Sequence, residues 1–90
     1  MGSSAKKQLV HIVDDDPNVL DSLALLLKVL GYAPHVYQSG ADFIEQARLT
    51  GKDLLLFDLN MPGMTGFTLW QQVRLQYPNH KAFLMTGHGC

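Results

Sequence analysis

The sequence has a single cysteine, Cys90, and it is the last residue. A lone thiol closes no internal disulfide, so a reducing, cytoplasmic compartment is expected. No apolar run is long enough to span a bilayer, and the start lacks a signal-peptide pattern, so no contact with a membrane is expected. Basic residues are few and balanced, with Lys and Arg totalling 7 against 8 acids and a net charge of −1. That argues against a broad nucleic-acid footprint, which needs clustered Lys and Arg. The turn after the first apolar run holds no glycines but Asp14-Asp15-Asp16, which would repel a pyrophosphate and so exclude a dinucleotide-binding enzyme. Internal repeats and low-complexity segments are missing as well. What remains is an ordinary globular composition, 47% hydrophobic and 17% charged over 90 residues, enough for one modest domain. Residues 1–7 open like an expression tag (Met1-Gly2-Ser3-Ser4) and are set aside. The expected domain is 8–90.

The chain is organised around Asp53-Leu54-Leu55-Leu56-Phe57-Asp58 and the following turn through Pro62-Gly63. Four apolar residues bounded by turn signals read as a strand buried on both faces. Asp58 then stands where the strand emerges, at the carboxyl end of a parallel sheet, where open α/β folds place their ligands. Ahead of it, Leu9 to Val13 reads as a central strand. Asp16-Pro17 is a capped helix start, and the helix runs to about Leu30 with Leu20, Leu23, Leu26, Leu27 and Leu30 on one apolar stripe. Gly31 ends it. Ala33 to Gln38, broken by Pro34, suits an edge strand. Ser39 caps a helix expected over about Ala41 to Leu49, with Phe43, Ile44 and Ala47 turned inward. Thr65 caps another from about Gly66 to Gln76, carrying Phe67, Leu69, Trp70 and Val73 as its apolar positions. Lys81 to Thr86 is a fourth strand. The order βαβαβαβ with short connections implies parallel strands.

The ends of the first and third strands then lie side by side, which brings Asp14 and Asp15 to Asp58, with Thr86 at the neighbouring strand end. Three carboxylates so close repel one another unless a cation sits among them. Hard oxygen ligands suit Mg²⁺, which keeps several waters. A carboxylate exposed at a strand end is also a nucleophile toward a phosphoryl group. Asp16 is better explained as a helix cap than as a ligand. His11, inside an apolar run, reads as a packed strand residue; His35 and His80 read as surface residues, and Met61 and Met64 as packing for the loop.

The runs Val13-Asp14-Asp15-Asp16, Phe57-Asp58-Leu59-Asn60-Met61-Pro62-Gly63-Met64 and Met85-Thr86-Gly87-His88-Gly89 together resemble the receiver domain of two-component response regulators, closest to the FixJ-like branch. The resemblance runs from about Gln8 to Gly89. It implies a flavodoxin-like α/β fold with strand order 2-1-3-4. It implies that Asp58 is the phosphoacceptor, served by a sensor histidine kinase, and that Asp14 and Asp15 hold Mg²⁺ with Asp58 and the backbone carbonyl of Asn60. Thr86 would be the switch hydroxyl and Gly87 would leave access to the phosphoryl group. Asn60 and His88 would tune hydrolysis of the acyl phosphate. The protein so implied is no enzyme, at most assisting its own phosphorylation and dephosphorylation, and belongs to a transcription regulator that reaches DNA through an output domain outside this chain.

The resemblance stops short of the family's last strand and last two helices. The family's phosphoryl-contacting lysine has no counterpart, since neither Lys52 nor Lys81 matches its position; phosphoryl capture should be weakened and switching impaired. A fourth strand left as an open apolar edge should favour self-association, by edge pairing or exchange of elements. Two other readings stand beside this one. A dehalogenase-like phosphatase would need a second carboxylate two residues after the nucleophile, where Asn60 stands. A receiver-like module could also bind partners, or itself, without being phosphorylated.

Overall fold

The computed structural model describes residues 7–50 and 52–85. Four parallel strands form one sheet in the order β2-β1-β3-β4, with β1 at Leu9–Val13, β2 at Ala33–Tyr37, β3 at Leu54–Asp58 and β4 at Lys81–Met85. Three helices connect them: α1 Pro17–Val29, α2 Gly40–Gln46 and α3 Gly66–Gln76. The expected α/β order and strand sequence 2-1-3-4 are what the chain adopts.

Local chemistry accounts for the element ends. Asp16 accepts the Asn18 N–H at 2.9 Å with Pro17 opening α1. Ser39 accepts from Asp42 N and Thr65 from Thr68 N at the starts of α2 and α3. Each cap satisfies a helix-terminal donor that has no intrahelical partner. At the far end of α1, Gly31 N–H reaches Lys28 O and Tyr32 N–H reaches Leu27 O. This paired closure needs a left-handed residue, and Gly31 supplies it at φ 96°.

Side-chain alternation along the strands divides the interior into two layers. Val10 and Ile12 face α1 and pack with Leu20, flanked by Leu23, Leu27, Leu54 and Leu56. Val13, Leu55 and Phe57 face α2 and α3 and pack with Tyr37, Phe43, Leu69 and Val73. Truncating a buried member such as Leu69 to alanine typically costs about 2–5 kcal/mol.

Three expectations about helix faces are corrected. Leu26 (53% exposed) and Leu30 leave the α1 stripe and stand in solvent, because α1 is the one described helix on its side of the sheet and covers only the strands beneath Leu20, Leu23 and Leu27. The second helix closes at Gln46 rather than Leu49, as Ala47 turns extended at ψ 140°, and Ile44 is half exposed on its outer side. Phe67 is likewise half exposed; it leans on Trp70, ring centroids 5.9 Å apart, instead of entering the interior.

Candidate functional site

The register of the sheet assembles the site. Pairing β1 with β3 so that Val13 stands opposite Phe57 places the residues that follow, Asp14 and Asp58, at one rim. One carboxylate oxygen from each of Asp14, Asp15 and Asp58 lies within 4.8 Å of the others. Asp14 and Asp58 are buried and Asp15 is exposed, so the cluster has two acids set into the protein and one facing water.

Backbone donors orient the two buried acids. Asp14 Oδ1 accepts the Asp16 N–H at 2.9 Å, and Asp58 Oδ1 accepts the Asn60 N–H at 3.0 Å. Both are two-residue side-chain-to-backbone turns, a geometry native to aspartate. Asp14 is also anchored through its own amide, which donates to Tyr37 O at 3.1 Å. Asp16 turns its side chain to the start of α1, as its capping role requires.

Asp58 was expected to be exposed, and the structure corrects this: its exposure is 0%. The segment after β3 folds back over the strand end. Leu59 N–H donates to Met85 O, and Gly63, at φ 82°, lets Met64 N–H close a tight turn onto Pro62 O. Met61 is buried beneath this loop and Met64 reaches Gly40. Among the three acids, Asp15 is thus the one that faces water, while Asp58 lies under the described segment 59–65.

Of the other residues expected at the site, Asn60 is present and exposed, its amide engaged as described. Thr86, Gly87 and His88 lie outside the described residues. Lys52 precedes β3 and Lys81 pairs with Leu54 at the amino end of the sheet, so both lie at the rim opposite Asp58, in keeping with the expectation that neither replaces the family's lysine.

Sequence reasoning missed a second polar group. His11 is buried as expected, but it is not merely packed: its Nε2 lies 2.7 Å from Asp53 Oδ2 and its Nδ1 lies 3.0 Å from the Tyr37 hydroxyl. Asp53, also buried, takes further bonds from the Thr50 amide at 3.1 Å and the Thr50 hydroxyl. His80 is half buried rather than a plain surface residue, its ring directed at Thr50 O. Burial pulls the His11 pKa below its ordinary value, with Asp53 opposing; burial pushes Asp53 up, but the bonds from Thr50 and His11 outweigh it and leave Asp53 below the usual carboxylate range.

The comparisons with known proteins agree with this architecture. The family model of the response regulator receiver domain matches residues 10–90. The chain belongs to that family. It is 34% identical over 80 residues to the transcriptional regulatory protein FixJ of Azorhizobium caulinodans and 38% identical over 80 residues to FixJ of Rhizobium meliloti. Those matches cover 89% of this chain but 38% and 39% of the relatives, so the chain spans about two fifths of their length. Among solved structures, the Vibrio cholerae chemotaxis protein CheY4 superposes with a TM-score of 0.84 at 26% identity, over 94% of this chain and 72% of that one. The FixJ-N crystal structure gives a TM-score of 0.76 at 34% identity, over 94% and 68%. The Thermotoga maritima response regulator TrrA, solved in complex with Mg²⁺-BeF, gives 0.80 at 25% identity, over 91% and 71%.

Proposed function

We propose that this chain is the phosphoryl-accepting unit of a two-component transcription regulator, with Asp58 as the acceptor and a sensor histidine kinase as the donor. The observation that carries the reading is the convergence of Asp14, Asp15 and Asp58 within 4.8 Å at the carboxyl ends of adjacent parallel strands. An all-oxygen donor set of two buried acids and one exposed acid fits Mg²⁺, with the exposed side open to water ligands. Asp14, Asp15 and Asp58 would hold the ion together with the Asn60 carbonyl. Bound there, it would offset the charge of the incoming phosphoryl oxygens.

In the transfer, an Asp58 carboxylate oxygen bonds to phosphorus. The P–N bond of the kinase phosphohistidine breaks, and its electron pair returns to the imidazole nitrogen. The Asn60 amide fixes the plane of the Asp58 carboxylate for this approach. Thr86 is assigned the switch hydroxyl, Gly87 the open approach, and Asn60 and His88 the control of hydrolysis. The chain acts as a phosphoacceptor, not as an enzyme with turnover, in the cytoplasm, and DNA is reached through a separate output domain.

Incubation with acetyl phosphate or beryllofluoride at millimolar Mg²⁺ tests this. Acid-stable but base-labile incorporation, or beryllofluoride binding, that is lost in Asp58→Ala supports it. No incorporation and no binding by the unsubstituted chain would leave instead a receiver-like module that engages partners, or itself, without phosphorylation.

A further inference from the structure

The bonds around His11 join into a single line. Ionised Asp53 is acceptor-only, so the proton between it and His11 belongs to Nε2, and Nδ1 is left as an acceptor. The Tyr37 hydroxyl, 3.0 Å away, must then donate to Nδ1. The lowered pKa of His11 agrees with a neutral ring. Tyr37 in turn holds Asp14, whose amide donates to the Tyr37 carbonyl at 3.1 Å. The line therefore starts at Thr50 and Asp53 by the amino rim of the sheet, crosses β1 at His11 and ends on a member of the acid cluster at the opposite rim.

Its placement gives the hydroxyl something to do. Tyr37 is the last residue of β2, which pairs with β1 alone among the described strands, and the end of an edge strand opens more readily than an interior one. The ring is held against that opening from three directions, lying parallel to His11 at 5.9 Å, edge-on to Phe43 at 5.3 Å, and hydrogen-bonded through its tip. Loss of the hydrogen bond frees the strand end, and with it the acceptor that fixes the Asp14 main chain. Asp14 Oδ1 is locked to the next turn through Asp16 N, so a shift in that main chain moves the carboxylate relative to Asp15 and Asp58.

We propose that Asp53, acting through the Nε2-protonated tautomer of His11 and the hydroxyl of Tyr37, positions Asp14 for divalent-cation binding by the acid cluster. The three are positioning residues, since none belongs to the acid cluster itself. The proposal rests on the phosphoacceptor reading, and its test separates the two. Mg²⁺ is titrated into the chain at pH 7.5 with Trp70 fluorescence as the signal. Tyr37→Phe is expected to weaken binding about two- to tenfold, the range that loss of one hydrogen bond spans. Leu27→Ala, which destabilises the other layer, is expected to lower the urea midpoint and leave the Mg²⁺ affinity unchanged.

Nitrogen-15 NMR of the imidazole reads the relay directly. The unsubstituted chain is expected to show a protonated Nε2 and a bare Nδ1, and Asp53→Asn, which can donate to Nε2, is expected to abolish that preference. This second measurement holds even where Tyr37→Phe folds poorly. Absence of Mg²⁺ binding by the unsubstituted chain would remove the phosphoacceptor reading and this inference together. Normal binding by Tyr37→Phe, or a proton on Nδ1 in the unsubstituted chain, would overturn this inference alone.

Discussion

A Cβ at Gly66 would stand 2.3 Å from the carbonyl oxygen of Asp58. The start of α3 is thus seated directly on the main chain of the proposed acceptor, and only a residue without a side chain allows the contact. Relief has to come from backbone, since the carbonyl cannot rotate away as a side chain does. Gly66→Ala should therefore destabilise by about 1–3 kcal/mol, as overpacking does, and should lower phosphoryl incorporation at Asp58 by displacing loop 59–65. Urea unfolding and acetyl phosphate labelling of the same sample check both; unchanged stability would show that α3 is not seated this way.

The acid trio should cost stability when no cation is present. Asp15→Asn removes the exposed charge from a set packed within 4.8 Å. In EDTA it is expected to raise the thermal midpoint by up to about 4 °C, equivalent to about 1 kcal/mol or less. Mg²⁺ at ten times its Kd should stabilise the unsubstituted chain by about 1.4 kcal/mol, and Asp15→Asn should lose that increment at the same concentration. Differential scanning calorimetry with and without Mg²⁺ reads both effects.

Acid should begin to destabilise the protein before the carboxylates titrate. The folded pKa of His11 is lowered below 6.5, so as pH falls through 6.5 the unfolded chain takes up a proton that the folded chain refuses. Stability is then lost from about 6.5 down to the folded pKa of His11 and levels off below it. Asp53 is lowered as well, from 3.8, so its contribution is complete above 3.8 and is lost as pH falls through its folded value. Tyr37 is raised above 10.0, so its contribution is present below 10 and is lost as pH climbs through that value. Urea midpoints between pH 8 and 5 should therefore fall, and His11→Phe should flatten that slope, whatever its effect on the midpoint itself.

Phe83 is 55% exposed and its neighbour Leu84 is also exposed; consecutive residues of β4 point to opposite faces. Both faces of this edge strand thus offer apolar surface, and its outer edge has no partner among the described strands. Sedimentation equilibrium is expected to show mass rising with concentration, and Phe83→Glu should shift the chain toward monomer. A compact monomer at high concentration for the unsubstituted chain would contradict this.

Much of the fold was legible because local signals and periodicity agreed. The bounds of β1 and α3 and the caps at Asp16, Ser39 and Thr65 follow from side chains that act within a few residues of themselves. Alignment of the first and third strands then suffices to bring Asp14, Asp15 and Asp58 together. Periodicity was a poorer guide to the outer flanks. It states which residues share a helix face, not how much of that face the neighbouring layer covers, and so it misplaced Leu26, Leu30, Ile44 and Phe67. The His11–Asp53 pair was hidden for another reason. Each residue alone has an ordinary explanation, and their proximity depends on the register that sets His11 opposite Leu55, with Asp53 two residues before it on the same face. A histidine in the middle of an apolar strand needs a polar partner on the adjoining one, and that requirement was the available clue.

Asp14 follows β1 and Asp58 closes β3, while α1, β2 and α2 occupy the chain between them. Among the described residues, neither half of the polypeptide holds the acid trio by itself. The trio comes into being only when β1 and β3 dock side by side across the α1–β2–α2 crossover that separates them in the chain. Metal uptake would then serve as a clock on folding, silent through early collapse and switching on at the moment the two central strands meet.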